Sequence, residues 1–155
     1  MKQNRQTTAL SGVADSVDGR TMRRQRNRTA VIAALLDMVR EGDLHPGAAE
    51  IAERAGVSHR SVFRYFDDLD DLVRTTIDQA FHDAEPISRI PDLGTGMLDE
   101  RVAAMIDARV ALYERVDGPM QLARMRSYTI PSIDDEIASI AEQFRGQLHD
   151  HFAPE

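Results

Sequence analysis

The sequence predicts an all-α protein. Apolar residues recur three and four positions apart through most of the 155 residues, helix caps and stops flank these runs, and no segment alternates with the two-residue rhythm of a half-buried strand. With 42% hydrophobic residues and no Cys or Trp, the chain can bury one moderate core, in one or two small helical domains, without disulfides.

A first packing helix is expected within residues 28–42, where Ile32, Leu35, Leu36 and Val39 share a face and Gly42 holds the usual stop position. A second, short helix turns Ile51 and Ala52 inward and closes at Ala55, after which Gly56 supplies the positive φ of a tight exit. Val57 fills the corner. Ser58 is a good N-cap for a third helix from His59, with Val62 and Phe66 facing inward and His59, Arg60, Ser61, Arg64 and Tyr65 on the other face. A fourth helix is expected to be capped by Asp68, to carry Asp70 and Asp71 at the positive end of its dipole, and to bury Leu72, Val73, Ile77, Ala80 and Phe81.

Two short helices hinged at a glycine are the arrangement by which a helix-turn-helix brings the start of its second helix to the major groove of DNA. Arg suits bidentate contact with guanine, and His and Ser can donate or accept at base edges and phosphates, so the polar flank after Ser58 has the right chemistry. The same helix, glycine turn, helix order also builds small bundles with no nucleic-acid role.

At this point the chain resembles the TetR family of bacterial transcriptional regulators over about residues 28–72. The likeness lies in an Arg-led helix ending in Gly, the Ile-Ala…Ala-Gly-Val-Ser corner, the aromatic-x-Tyr-Phe run ending at Phe66, and the opening of the fourth helix, Lys-Glu-x-Leu in the family and Leu69-Asp-Asp-Leu72 in this chain. The resemblance implies that Ser58, His59, Arg60, Ser61, Phe63, Arg64 and Tyr65 touch DNA, Tyr65 in a phosphate-contacting slot. Two positions depart from the family pattern. Phe63 stands where a Tyr is usual, and Leu69 where a Lys is usual, which removes a hydroxyl and a cation from the backbone-binding set and weakens the electrostatic part of affinity.

Charge is divided unevenly along the chain. Residues 1–28 hold seven basic groups against Asp15 and Asp18, a net +5, while the rest holds 12 basic and 24 acidic groups, a net −12, which together give −7. A basic leader of this kind is suited to following a duplex or entering its minor groove, and equally to a disordered solubilising role. The domain organisation expected is a basic flexible leader over 1–22, the helix-turn-helix domain over 23–67, and a helical regulatory core over 68–155.

Beyond the fourth helix, residues 84–95 hold two prolines and a glycine and read as a connector. A helix is then expected from Thr95 to Asp117, with Met97, Leu98, Val102, Met105, Ile106, Leu112 and Tyr113 as its buried stripe and Gly118 as its stop. Pro119 would open a separate short helix carrying Met120, Leu122 and Met125. After a break at residues 127–132, a last helix with an acidic start buries Ile133, Ile137, Ile140, Ala141, Phe144 and Leu148, up to about Phe152.

In a TetR-like protein these later helices enclose an effector, and Phe81, Met105, Arg109, Tyr113, Met120, Met125 and Tyr128 are the candidate lining residues; the same spacing serves an ordinary core equally well. Arg109 interrupts an apolar neighbourhood and is expected to meet an acidic ligand group or Glu114. Family members usually continue into two further long helices that pair about a two-fold axis, so this chain, ending at Glu155, is expected to lack them and to leave apolar surface uncovered.

Enzyme chemistry finds little support. There is no thiol, no Gly-rich phosphate loop and no nucleophile motif, and the Asp67–Asp71 run lacks the Gly and spaced oxygens of a calcium loop. His149 and His151 lie two apart and point to different sides of a helix, so no metal site is expected, and no cofactor. With no signal-like leader and no apolar run near eighteen residues, a cytoplasmic protein is expected. The expected function is a ligand-responsive repressor that binds a double-stranded operator, as a homodimer where the dimer interface is complete, and answers to an unidentified small molecule. The rival is a helical module that binds a protein partner or a small molecule without binding DNA.

Overall fold

Six α-helices and one 3₁₀ turn follow one another, with no strand among the described residues. The structure is a computed structural model that describes the backbone of residues 8–153 and the side chains of residues 19–153. The helices are α1 (Thr8–Arg40), α2 (Ala48–Arg54), α3 (His59–Tyr65), α4 (Leu69–Ala84), α5 (Leu98–Arg126) and α6 (Pro131–Phe152), with the 3₁₀ turn (Glu85–Ser88) after α4.

The stop and start signals act as the sequence predicts. At Gly42 (φ +96°) the amide donates to the Val39 carbonyl and Asp43 N–H to that of Met38; at Gly56 (φ +66°) the corresponding bonds run to Glu53 and from Val57 to Ala52. Both exits are Schellman closures, and both need the left-handed backbone that glycine adopts without a Cβ penalty. Ser58 accepts from the Ser61 amide at 3.2 Å and Asp68 from that of Asp71 at 2.7 Å, so both expected N-caps are in place. At α2 the cap comes from a side chain of the helix itself: the Gly47 amide donates to the Glu50 carboxylate at 2.7 Å.

α1 is longer than the sequence suggests. Residues 8–22, expected as flexible leader, continue the packing helix without a break, because nothing between Thr8 and Arg40 lacks a backbone donor; residues 1–7 lie outside the described residues.

Three further differences fall in the second half. α5 is one helix of 29 residues that runs through Gly118 and Pro119, where two helices were expected. A Cβ at residue 118 would sit 2.8 Å from the Val39 carbonyl oxygen, so glycine here lets α5 cross against the backbone of α1. Pro119 is buried on that same side, and the packing outweighs its missing hydrogen bond. α6 opens at Pro131, inside the break expected at residues 127–132, with Ile130 as the cap residue. Finally, Met97, Leu98, Val102, Ile106 and Tyr113, expected in a buried stripe, are exposed; α5 packs inward through Arg101, Arg109, Leu112, Val116, Leu122 and Ala123 instead.

One apolar core joins the two halves. Val31, Leu35 and Val39 of α1, Ile51 of α2, Val62 and Phe66 around α3, and Leu72, Val73, Ile77 and Phe81 of α4 belong to the same cluster as Leu122, Ala123 and Ile133. The end of α5 therefore rests directly on the helix-turn-helix scaffold, and Arg126 reaches Asp70 at the start of α4 at 3.5 Å.

Candidate nucleic-acid interface

The interface is assembled by a short helix held from behind. Val62 and Phe66 are almost fully buried against α1, α2 and α4, which leaves the opposite side of α3 to solvent. α2 is fixed to the end of α1 by a bidentate pair in which Arg54 donates to both Glu41 oxygens at 2.9 and 2.8 Å; the guanidinium holds the Glu41 carboxyl below its usual range.

Of the seven residues singled out by sequence, Ser58, His59, Arg60, Phe63 and Arg64 are exposed and contiguous around the start and outer flank of α3, with Ser61 half-exposed beside them. Ser58 and Ser61 hydroxyls lie 2.9 Å apart, and the His59 ring meets Phe63 edge-on with centroids 5.0 Å apart. Phe63 is 45% exposed, so an aromatic ring without a hydroxyl stands on the outer surface.

Tyr65 departs from expectation. It is only 8% exposed and belongs to the core, because it lies three residues after Val62 and one before Phe66 and so completes the inward face. Its hydroxyl accepts hydrogen bonds from Asn27 of α1 at 3.2 Å and Arg64 at 2.8 Å. Burial pushes the phenol up, but these two donors, together with the Arg64 and Arg24 charges, outweigh it and leave the group below its ordinary value. The Arg64 guanidinium also lies 5.1 Å from the Tyr65 ring centroid. Tyr65 thus orients Arg64 and ties α3 to α1.

Arg23, Arg24 and Arg26 are exposed on α1, and the Arg24 charge acts on Tyr65, so a basic stretch of α1 neighbours α3. Lys2 and Arg5 lie outside the described residues. Leu69, at the position where the family pattern has Lys, is half-buried against the core and gives α4 an apolar anchor where a cation would stand.

Residues 32–76 match the model of bacterial regulatory proteins of the tetR family. Over these residues the chain is similar to the N-terminal head of that family. The matched residues run from α1 into α4 and so take in the whole corner described above, in an all-α protein with a helical core behind it. Neither a curated protein nor a solved structure matches the chain. The family is one of DNA-binding transcriptional regulators, and no described helix is long and apolar enough to cross a membrane.

The candidate effector residues separate into two groups. Phe81, Tyr113 and Met120 line a groove of about 590 Å³ between α4, α5 and α6. Met105, Arg109, Met125 and Tyr128 do not line it, and Tyr128 is 93% exposed. Arg109, 9% exposed, meets neither Glu114 nor the groove: it donates to the Ser88 carbonyl at 2.7 Å and to Gln147 at 3.0 Å, and stacks 4.3 Å from the Phe144 centroid. Its burial lowers the guanidinium's affinity for its proton. It serves as a clamp between the 3₁₀ turn and α6.

His151 and His149 also separate. His151 is fully buried, with Nδ1 accepting from the Gly94 amide at 3.0 Å and Nε2 donating to the Arg101 carbonyl at 2.8 Å, while His149 is exposed. Both His151 nitrogens are thus engaged in packing the connector onto α6. No group of three or more His, Asp or Glu able to hold a metal occurs among the described residues.

Sequence reasoning missed the α6 side of the groove, notably Glu136, Ile137 and Phe144. A signal was present. Glu136 falls in the inward rhythm of Ile133, Ile137 and Ile140, so an acidic side chain occupies a position where the pattern asks for an apolar one.

Proposed function

We propose that the chain is a sequence-specific, cytoplasmic DNA-binding regulator that acts as a repressor, binds its operator as a homodimer and releases it on binding a small molecule. The observation that carries the reading is the outer flank of α3: His59, Arg60 and Arg64 are exposed behind a capped helix start, on a scaffold matched to a family of DNA-binding regulators. Arg60 is assigned to base readout, with His59 and Ser61 beside it, and Ser58 and Arg64 to phosphates. Phe63 contributes apolar contact, for example to a thymine methyl group, and Tyr65 acts by holding Arg64.

Two features support regulation. The groove lies between α4 and the two core helices, and α4 begins where Arg126 of α5 meets Asp70, so an occupant that shifts α5 against α4 changes the seating of the head. The exposed apolar side of α5, with Val102, Ile106 and Val110, supports association with a second copy. Selection of bound sequences from a random duplex pool, with a mass measurement in solution, tests the reading. Two inverted half-sites about one helical turn, roughly 34–36 Å, apart and a dimer mass are expected. A protein that retains no duplex favours the rival reading, a helical module that binds no DNA.

A further inference from the structure

The groove between α4, α5 and α6 has a chemical bias that its size alone does not convey. A volume of about 590 Å³ falls within the range of small-molecule sites, roughly 300–1,000 Å³. Its walls include the rings of Phe81, Tyr113 and Phe144, and its charged lining consists of Glu85, Asp117 and Glu136 against Arg124. Aromatic faces and an excess of carboxylates attract positive charge through the ring quadrupole and directly.

Glu136 of α6 lines the groove, and the charge of Asp78 on α4, which does not line it, acts on the Glu136 carboxyl. On α4, Arg74 pairs with Asp78 at 3.2 Å. His82 on α4, Glu85 on the 3₁₀ turn, and Tyr113, Asp117 and Arg124 on α5 are the other titratable and charged groups that line the groove.

We infer that the groove takes an organic cation with an apolar, aromatic body, whose positive charge stands against the Glu136 carboxylate. The cation enters, the Glu136 carboxyl releases H⁺ to solvent, and the resulting carboxylate faces the ligand charge while the rings of Phe81, Tyr113 and Phe144 cover its body. This inference rests on the ligand-responsive reading above and supplies the class of ligand. Burial, more than the Asp78 charge and hydrogen bond, pushes Glu136 up to about 7, so ligand binding and proton release exchange within the physiological range.

The test uses two probes of the same shape and opposite charge, tetraphenylphosphonium and tetraphenylborate, titrated into the full chain by calorimetry. The phosphonium is expected to bind and the borate not. With Glu136 half-protonated near pH 7, phosphonium affinity should rise about tenfold from pH 6 to pH 8, and binding at pH 6 should release about one proton, read from buffers of different ionisation enthalpy. Glu136→Gln, which keeps the side chain's size and polarity without its charge, should lower affinity at pH 8 at least tenfold and flatten most of the pH dependence. Tyr113→Ala, at an exposed ring, should weaken binding without changing the far-UV spectrum. Equal binding of the two probes, no phosphonium binding, binding without proton release at pH 6, or a folded Glu136→Gln with unchanged affinity overturns the inference. Release of bound duplex by the phosphonium is a separate reading: tight binding with no release leaves the ligand class standing and removes the regulatory coupling.

Discussion

The Tyr65 hydroxyl accepts from Asn27 and Arg64 while its ring is buried with Val62 and Phe66, so its loss acts first on the fold. Tyr65→Phe leaves two donors without their acceptor and should lower unfolding stability by about 1 kcal/mol in a urea titration, with a weaker grip on DNA following from a freed Arg64. An unchanged midpoint would show the hydroxyl to be idle. Arg60→Ala touches an exposed side chain and should leave stability within about 0.5 kcal/mol, so any loss of binding there belongs to the interface. Single residues with a local mechanism were legible in the sequence: Ser58 and Asp68 as caps and Gly42 and Gly56 as exits follow from backbone geometry alone. Tyr65 was not, since a helix of seven residues offers barely two turns of pattern and the family slot pointed outward where the three-residue spacing from Val62 pointed inward.

α5 shows what local signals cannot carry. Gly-Pro reads as a stop and a start, yet the helix passes through both because the crossing with α1 requires a residue without a side chain at Gly118. Gly118→Ala would gain helix propensity of about 1 kcal/mol but press a methyl into the Val39 carbonyl 2.8 Å away, which is backbone and cannot rotate aside. The net expectation is a loss of about 1–3 kcal/mol in thermal or urea unfolding. Gly146→Ala in α6 meets nothing within 4 Å and should stabilise the protein by about 0.4–1 kcal/mol, a control for propensity without contact. If both substitutions behave alike, the close crossing is not what holds α5 in one piece. The stripe assigned to α5 failed for the same reason, since its apolar residues lie on two sides of the helix and only the neighbours decide which side is buried: Leu112 and Val116 turn inward and Val102 and Ile106 outward. α4 carries one clear stripe, from Leu72 to Phe81, and buries it as its spacing predicts.

At the scale of the whole molecule, head and core share one cluster, so protonation in the groove bears on the stability of everything above it. The Glu136 carboxyl lies at about 7 in the folded chain and near 4.5 when unconstrained. A folded value above the unfolded one contributes stability that is complete below about 4.5 and is lost as pH rises through about 7. Glu136→Gln should therefore be more stable than the native chain at pH 8, by roughly 1 kcal/mol after allowance for solvent screening, and the difference should vanish toward pH 4. An equal difference at both pH values would assign it to packing. The polar flank of α3 remains the centre of the account, and it is tested most directly by titrating a selected duplex and a mismatched one with the native chain and with Arg60→Ala at one fixed salt concentration. The prediction is a loss of about 1–3 kcal/mol for the selected duplex on removing Arg60, with little change for the mismatched one, so that discrimination falls. Equal discrimination by both proteins would contradict the account and move base reading away from α3.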